Sequence, residues 1–333
     1  MEFEKIINQS TKGEERAEMS AHESYDKINR LIEELQATSK FEREKLDDGR
    51  EVIRSPEAGE FFIRKIQDEK DPSVQKIHQL LIKELSKEGA DTIETIKNAV
   101  KNDIQDYRVV EDAAGRVIAA SNTEYLKIED SQDAMIFVAY IVTAPDYRQK
   151  GIGSELYPSF YNLAKEKAKE EGLRIKGVIG EAGEEVESFL NRMGRKRMYF
   201  EDEQGNFHEI PYMQAPLAWD EKTGKPRQKA APEHLMIRLL DERQEMQVSE
   251  VISMVKAIYE ENYIFSEEYF KTEKAYQACE NTVMGHLKEL ENALQKAKDG
   301  KVFLMDKKER EVRRKELEAE GRQIFDLGES KAR

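Results

Sequence analysis

The stretch from Ile136 to Gly194 constrains the fold of this chain more than any other. It opens with an apolar run that ends at Thr143, and it continues through a turn into Tyr147-Arg-Gln-Lys-Gly-Ile-Gly153 and an amphipathic helical pattern. A glycine-rich turn between a strand and a helix leaves backbone N–H groups pointing outward, where the helix dipole also favours an anion. The two glycines let the backbone approach that anion closely. The sequence therefore predicts a phosphate-binding loop after a buried strand.

Two other phosphate loops do not fit this stretch. The dinucleotide-binding fingerprint needs a third glycine, and the residue three positions after Gly153 is Leu156. The P-loop needs Gly-Lys followed by Ser or Thr, which does not occur here. The alternatives that remain are a different class of anion site or a tight turn without a ligand.

The elements around this loop follow a definite order. Asp71-Pro72 gives an N-cap and a first-turn proline for a helix, and Asp112-Ala-Ala-Gly115 joins two strands of a hairpin. Over residues 58–241 the patterns predict the order β, α, α, β, β, β, α, β, α, β, β. A long connection, residues 201–234, separates the last two strands and is either a lid over a substrate or a surface loop.

The flanking segments read as helical. Ile28, Leu31, Ile32 and Leu35 predict one amphipathic helix over residues 14–46, which must pack on the rest of the chain, on a second copy or on a partner. A second long helix is predicted from Ser266 to Lys298. Its apolar seam is either an intramolecular contact or a dimer interface, and we predict a homodimer through the helical ends. The predicted segments are an N-terminal helical extension (1–57), a central domain (58–241) and a C-terminal helical region (242–333).

Composition excludes some classes of protein. The net charge of −14 argues against nucleic acid as a partner, because phosphate contacts need clustered Lys and Arg. No apolar run is long enough to cross a bilayer, no signal peptide is apparent at the start, and Cys279 is the only cysteine. We therefore expect a cytoplasmic protein without a membrane partner. The five histidines lack metal-ligand spacing, so no metal is expected.

The phrase Arg148-Gln-Lys-Gly151-Ile-Gly153, in its strand–loop–helix context, resembles the signature of the GNAT acetyltransferase superfamily. The order of elements over residues 58–241 is also the order of that fold. The resemblance implies an α/β (α+β) fold with a mixed central sheet flanked by helices, here with helical extensions at both ends.

The resemblance also implies acetyl-CoA, or a related acyl-CoA, as co-substrate. Its pyrophosphate would bind the loop amides, its pantetheine arm would pair with the end of the strand before the loop, and a backbone N–H there would stabilise the oxyanion. The residues implied are Ile141, Val142, Thr143, Arg148, Gln149, Lys150, Gly151, Ile152, Gly153 and Ser154.

The catalytic residues depart from the family pattern. The position of the frequent tyrosine acid, four residues before Gly194, is Leu190, and the frequent asparagine maps to about Gly183. The central strand also carries no Asp or Glu. Glu181 is our candidate base and Tyr157 our candidate acid.

Three hypotheses follow. The first is an N-acyltransferase that moves acetyl from acetyl-CoA to the primary amine of a small molecule or a protein lysine. The second is a catalytically degenerate CoA-binding module that acts as a scaffold through its helical extensions. The third keeps the fold without a cofactor, and the intact glycine loop argues against it.

Overall fold

The architecture comes from a computed structural model of the chain, which describes residues 19–327 except 86–89, 104, 217–218, 221, 228, 265–269 and 271. The helices are α1 Ala21–Thr38, α2 Pro72–Leu85, α3 Ile93–Lys101, α4 Tyr157–Glu171, α5 Glu184–Arg192, α6 Val248–Ile258, α7 Glu273–Leu294 and α8 Lys307–Ala319. A π-helical segment, Tyr259–Ile264, continues α6.

The strands form one large sheet and two small ribbons. They are β1 Glu42–Lys45, β2 Glu51–Ser55, β3 Gly59–Lys65, β4 Asp106–Asp112, β5 Val117–Lys127, β6 Asp133–Thr143, β7 Arg174–Ala182, β8 Lys196–Glu201, β9 Phe207–Glu209, β10 Met213–Gln214, β11 Trp219–Asp220, β12 Lys225–Pro226, β13 Ala231–Pro232, β14 His234–Leu239, β15 Glu245–Gln247, β16 Lys301–Met305 and β17 Ile324–Phe325.

The large sheet confirms the predicted fold class and order of elements. Its strands lie in the order β1-β2-β3-β4-β5-β6-β7-β14-β8-β16-β15, with β9 beside β8 and β17 beside β9. The pair β6–β7 is parallel and is joined by the crossover through α4, whereas the other pairs along the main path are antiparallel. The last strand of the predicted central domain, β14, inserts between β7 and β8.

Strands β6 and β7 separate before β6 ends. Their last paired residues are Val138 and Gly180, although β6 runs on to Thr143. On its other edge β6 stays paired with β5 up to Thr143, and Ala139 is an extra residue that shifts this register. A bulge of this kind bends a strand and re-aims its backbone. The result is a splay in the sheet, where the backbone of β6 from Ala139 onward has no partner in β7.

Side chains alternate between the two faces of the sheet, and each face has its own core. On β6, Ile136 and Val138 pack with α1 and α4, whereas Met135 and Phe137 pack with α6 and α7. We call the first side the α4 face and the second the α7 face. On β5 the α7 face carries, in turn, Ala120, Asn122, Glu124 and Leu126, so it also includes the core of α2 and α3.

The N-terminal extension packs on its own chain. Helix α1 begins at a capping box formed by Ser20 and Glu23, and it lies on the α4 face. Tyr25 donates from its hydroxyl to the carbonyl of Leu173 at 2.7 Å, which fixes the helix against the start of β7. Helix α1 occupies 21–38 of the predicted 14–46, and residues 14–18 lie outside the described part of the chain. After it, β1 and β2 form an unpredicted hairpin at the edge of the sheet.

The C-terminal region combines helices with strands that the sequence did not predict. Helix α7 covers 273–294 of the predicted 266–298, of which 266–269 and 271 are not described. Its seam is buried in the chain's own core, so of the two alternatives the intramolecular one holds in this structure. The buried seam residues are Cys279, Val283, Leu287, Leu290 and Leu294. Strand β16 pairs with β8, so the sheet runs across the predicted boundary at 241/242, as it does at 57/58 through β2 and β3.

Candidate functional site

The predicted phosphate loop has the backbone conformation that an anion site needs. Gly151 has φ +88° and Gln149 has φ +61°, both in the left-handed region. The N–H groups of Gln149, Lys150 and Gly151 donate no hydrogen bond to any described residue. A short 3₁₀ turn, Ile152–Leu156, then leads into α4. The loop therefore presents free donors at the N-terminal end of a helix.

Close packing against the end of β6 holds this loop in place. A side chain at Gly153 would lie 3.1 Å from Thr143 Oγ1, and Ile152 is buried under the β1–β2 hairpin. Arg148 donates from Nε to the carbonyl of Thr143 at 3.1 Å and pairs with Glu84. These contacts of the Arg148 guanidinium position the loop. Lys150 forms no ion pair with a described residue, and its ammonium lies 5.1 Å from the centre of the Tyr147 ring.

A cleft of about 580 Å³ lies beside the loop on the α4 face. Its walls are the loop itself, α1, α4 and α5, with Tyr161 and Phe189 as apolar surface. Four cations line the cleft. Arg238 pairs with Glu34, whereas Lys40, Lys150 and Arg192 form no ion pair with a described residue. A cleft with free cations and free N–H groups suits a phosphate-bearing ligand. The sequence analysis missed Lys40 and Arg192, because each lies far from the loop along the chain.

The other implied residues lie on the splayed end of β6. Ile141 and Thr143 are half-buried and Val142 is buried, and Ser154 lies in the first turn after the loop. The carbonyl of Thr143 is already occupied by Arg148, so the backbone free for pairing is that of Ala139 to Val142. These residues fit an extended ligand arm that runs from the loop into the splay.

Glu181 lies on the α7 face, at the end of β7 beside the splay. The hydroxyls of Tyr212 and Tyr263 donate to its Oε1, and Gln214 Nε2 donates to its Oε2 at 2.9 Å. Burial raises the pKa of Glu181 despite these three hydrogen bonds. A carboxyl group held in one orientation, with a raised pKa, has the properties of a general base.

The long connection and the C-terminal region supply the residues that hold Glu181. Tyr212 and Gln214 come from residues 201–234, which the sequence analysis considered as a lid, whereas Tyr263 comes from the π-helical segment. Tyr259 stacks on Tyr212 with ring centroids 5.6 Å apart. No sequence pattern indicated Tyr263 as a site residue, because it lies 82 residues from Glu181 along the chain.

Tyr157, the predicted catalytic acid, lies away from Glu181. It is fully buried in the core of the α4 face, and Arg195 lies over its ring at 5.8 Å. Burial raises the pKa of its hydroxyl. The structure therefore places the two predicted catalytic side chains on opposite faces of the sheet.

In the described residues, no group of three or more His, Cys, Asp or Glu side chains is arranged to hold a metal ion. Within the same residues, no helix has both the length and the apolar character of a membrane span.

Comparisons with known proteins give structural similarity alone. No family model matches the sequence, and no curated protein matches it. NAA60 of Arabidopsis thaliana, solved in complex with acetyl-CoA, is 10% identical over 54% of this chain and 99% of that one, with a TM-score of 0.38. An acetyltransferase of the GNAT family from Streptococcus pneumoniae is 16% identical over 54% of this chain and 99% of that one, with a TM-score of 0.33.

A third similar structure is that of an enzyme named for the acceptor of its acetyl group. Glucosamine-6-phosphate N-acetyltransferase from Arabidopsis thaliana is 20% identical over 40% of this chain and 90% of that one, with a TM-score of 0.31. Solved acetyltransferases, one of them described as a member of the GNAT family, are thus among the structures that this chain resembles over 40–54% of its length.

Proposed function

We propose that this chain is an acyl-CoA-dependent N-acyltransferase that transfers acetyl to a primary amine. The observation that carries the proposal is the arrangement around the splay. A loop with free N–H groups and a cationic cleft lie on the α4 face, and the held carboxylate of Glu181 lies on the α7 face. The gap between β6 and β7 connects the two, so a donor and an acceptor would meet there.

The donor side is assigned to the loop and to β6. The amides of Gln149 to Gly151 would bind the pyrophosphate, with Lys150, Lys40 and Arg192 as counter-charges. The backbone of Ala139 to Val142, on the edge that has no partner in β7, would pair with the pantetheine arm. Its N–H groups would also donate to the acyl oxygen as that oxygen gains charge. When bound, acyl-CoA supplies the acyl group as a thioester.

Glu181 is assigned the proton transfer. An amine reacts only as the free base, so Glu181 takes the proton from the ammonium before nitrogen bonds to the acyl carbon. The carbon–sulfur bond would then break, and the leaving thiolate would take its proton from the same carboxyl group. The carboxylate set free in this way would accept the second proton that the nitrogen must lose, and would release it to solvent. Tyr212, Tyr263 and Gln214 keep the carboxylate in one orientation during this exchange. Tyr157 receives no part in it, because its hydroxyl is enclosed on the other face.

The alternative of a degenerate CoA-binding scaffold has no specific observation in its favour. Two sequence observations suggested this alternative: the missing tyrosine and the absence of a carboxylate in the central strand. Glu181, which three donors hold beside the splay, would take the role of that carboxylate.

Calorimetric titration with acetyl-CoA tests the donor site. We expect micromolar binding by the native protein and at least a ~10-fold loss in Gly151→Val, because the added side chain covers the anion site and strains the loop. Gly172→Val is the matched control: Gly172 ends α4 with φ +68° and has no atom within 4 Å of an added Cβ. Equal binding by both variants would contradict the site.

The same preparation tests the transfer step. Glu181→Gln should bind acetyl-CoA normally but transfer to amines ~10²–10⁴-fold more slowly. An unchanged rate in this variant would remove Glu181 from the mechanism, and an absence of transfer by the native protein across an amine panel would favour the scaffold.

A further inference from the structure

A second polar cluster lies on the α7 face of β4 and β5, beside the splay. Glu124, Asn122 and Gln105 are 4%, 2% and 4% exposed. Gln105 Nε2 donates to Glu124 Oε1 and, at 3.0 Å, to Asn262 Oδ1. Asn122 Nδ2 donates to Gln105 Oε1 at 3.0 Å. The side-chain amide donors of Gln105 and Asn122 are therefore directed into the cluster itself.

Two acceptors in the cluster remain without a partner. Glu124 Oε2 and Asn122 Oδ1 are buried and accept no hydrogen bond. A buried acceptor without a hydrogen bond destabilises the folded protein, and more so when it is charged. Such groups normally find a donor, so this pair of oxygens marks a position for a ligand with several N–H donors.

In the part of the chain that the structure describes, no Lys or Arg neutralises the carboxyl groups of this region. Among the described residues, neither Glu124 nor Glu181 nor the nearby Glu233 forms an ion pair with a Lys or Arg. Burial, followed by repulsion from Glu181, raises the pKa of Glu233 to about 7. Carboxyl groups whose pKa is raised by burial and mutual repulsion ionise more readily beside an ammonium, and the resulting attraction is strong in a low-dielectric site.

Strand pairing places Glu124 and Glu181 on either side of the splay. Glu124 lies opposite Phe137, which lies opposite Ile179, so the two glutamates are on strands that flank β6. Two strand spacings across the sheet and two residues along it separate them, or ~12 Å between backbones. Tyr140 on β6 lies between them and is half-buried. A short linear chain of atoms can connect these positions.

We propose that the acceptor is a small linear diamine or polyamine. Its reacting amine lies at Glu181, and its second ammonium is held by Glu124 Oε2 and Asn122 Oδ1. This inference rests on the proposed function for the reacting end. A protein lysine fits less well, because the second cation must reach oxygens that are closed to solvent, and a polypeptide backbone would have to follow it. Because these oxygens are closed to solvent, a neighbouring side chain must move when the ammonium enters.

Steady-state transfer from acetyl-CoA tests the inference with 1,5-diaminopentane and 1-aminopentane, which differ only in the second amine. We expect kcat/KM to be ~100-fold higher for the diamine in the native protein. Glu124→Gln should lower the ratio of diamine to monoamine at least ~10-fold. Glu311→Gln, which removes an exposed carboxylate on α8, should leave the ratio unchanged. Equal values for both amines, or preference for a lysine peptide, would overturn the inference.

A binding measurement separates this inference from the proposed function. Calorimetry with 1,5-diaminopentane in the absence of acyl-CoA should show binding that Glu124→Gln loses and Glu311→Gln retains. If the native protein binds the diamine but transfers nothing, the proposed function fails and the cation site stands. If acetyl-CoA binds and reacts with other amines while the diamine does not bind, the cation site fails alone.

Discussion

At the scale of single residues, Glu124 combines a functional role with a cost in stability. Burial raises its pKa to about 8, and repulsion from Glu261, Asp91 and Glu181 acts in the same direction, whereas the hydrogen bond from Gln105 lowers it. The folded protein therefore keeps a proton on Glu124 that the unfolded chain releases near the ordinary glutamate pKa. Between these two pKa values, stability must fall as the pH rises.

This argument predicts the effect of Glu124→Gln on the free protein. Glutamine cannot ionise, so the variant avoids the loss of stability that ionisation of Glu124 causes. We expect it to match the native protein more closely at pH 5 and to exceed it by on the order of 2–5 kcal/mol at pH 9. Urea unfolding at pH 5, 7 and 9 measures the difference. A difference that does not change with pH, or an equal change in Glu311→Gln, would contradict the assigned burial.

At the scale of elements, a buried ionic cluster attaches the C-terminal helix α8 to α5. Glu187 on α5 accepts from Arg197 at 2.6 Å and from Arg310 on α8. Arg310 also lies 3.4 Å from Asp326. These side chains are less than one-tenth exposed, apart from Asp326 at 15%. Removing one member of such a cluster leaves a buried charge without its partner.

We therefore predict that Arg310→Met destabilises the protein by about 3–5 kcal/mol. Lys315→Met is the control, because Lys315 is exposed on the same helix and its loss should cost under ~0.5 kcal/mol. Both variants can be compared by urea denaturation at neutral pH. If Arg310→Met were as stable as the control, the cluster would contribute nothing net to the attachment of α8.

The elements also show which parts of the fold local sequence can predict. The loop from Arg148 to Gly153 was predictable, because its glycines, the preceding apolar strand and the following helix are all local signals. Strands β1 and β15 were not, because Glu42-Arg-Glu-Lys45 and Glu245-Met-Gln247 are short, and β1 lacks apolar alternation. The seam of α7 left two alternatives open, because an apolar stripe packs equally well on its own core or on a second copy.

The residues of the candidate site likewise differ in whether a local sequence signal could predict them. Glu181 was a candidate because it lies at the end of the strand that follows the helix after the loop. Its partners Tyr212 and Tyr263, and the second carboxylate Glu124, come from distant parts of the chain. Contacts of that range depend on how the sheet and helices assemble, and no local pattern encodes them. That Glu181 and Tyr157 lie on opposite faces could not be predicted either, because residue spacing does not show on which face of a sheet a side chain lies.

At the scale of the whole molecule, one sheet crosses both boundaries of the predicted central domain. The α7 face of β6 and β7 is covered by α6, the π-helical segment and α7, all of which lie after residue 241. Met254, Val255 and Ile258 are each at most 1% exposed in that core. Without this region, the face would expose a large apolar surface, and Glu181 would lose Tyr263.

A fragment of residues 58–241 should therefore fail to fold alone. We expect it to bind a hydrophobic dye, to unfold without a cooperative transition and to bind no acetyl-CoA, whereas the complete chain unfolds cooperatively. Co-expression of the fragment with residues 242–333 should recover a folded complex, because the missing core is then supplied in trans. A fragment that folds and binds acetyl-CoA by itself would instead establish 58–241 as an autonomous domain, and the C-terminal region would be an addition to a complete core.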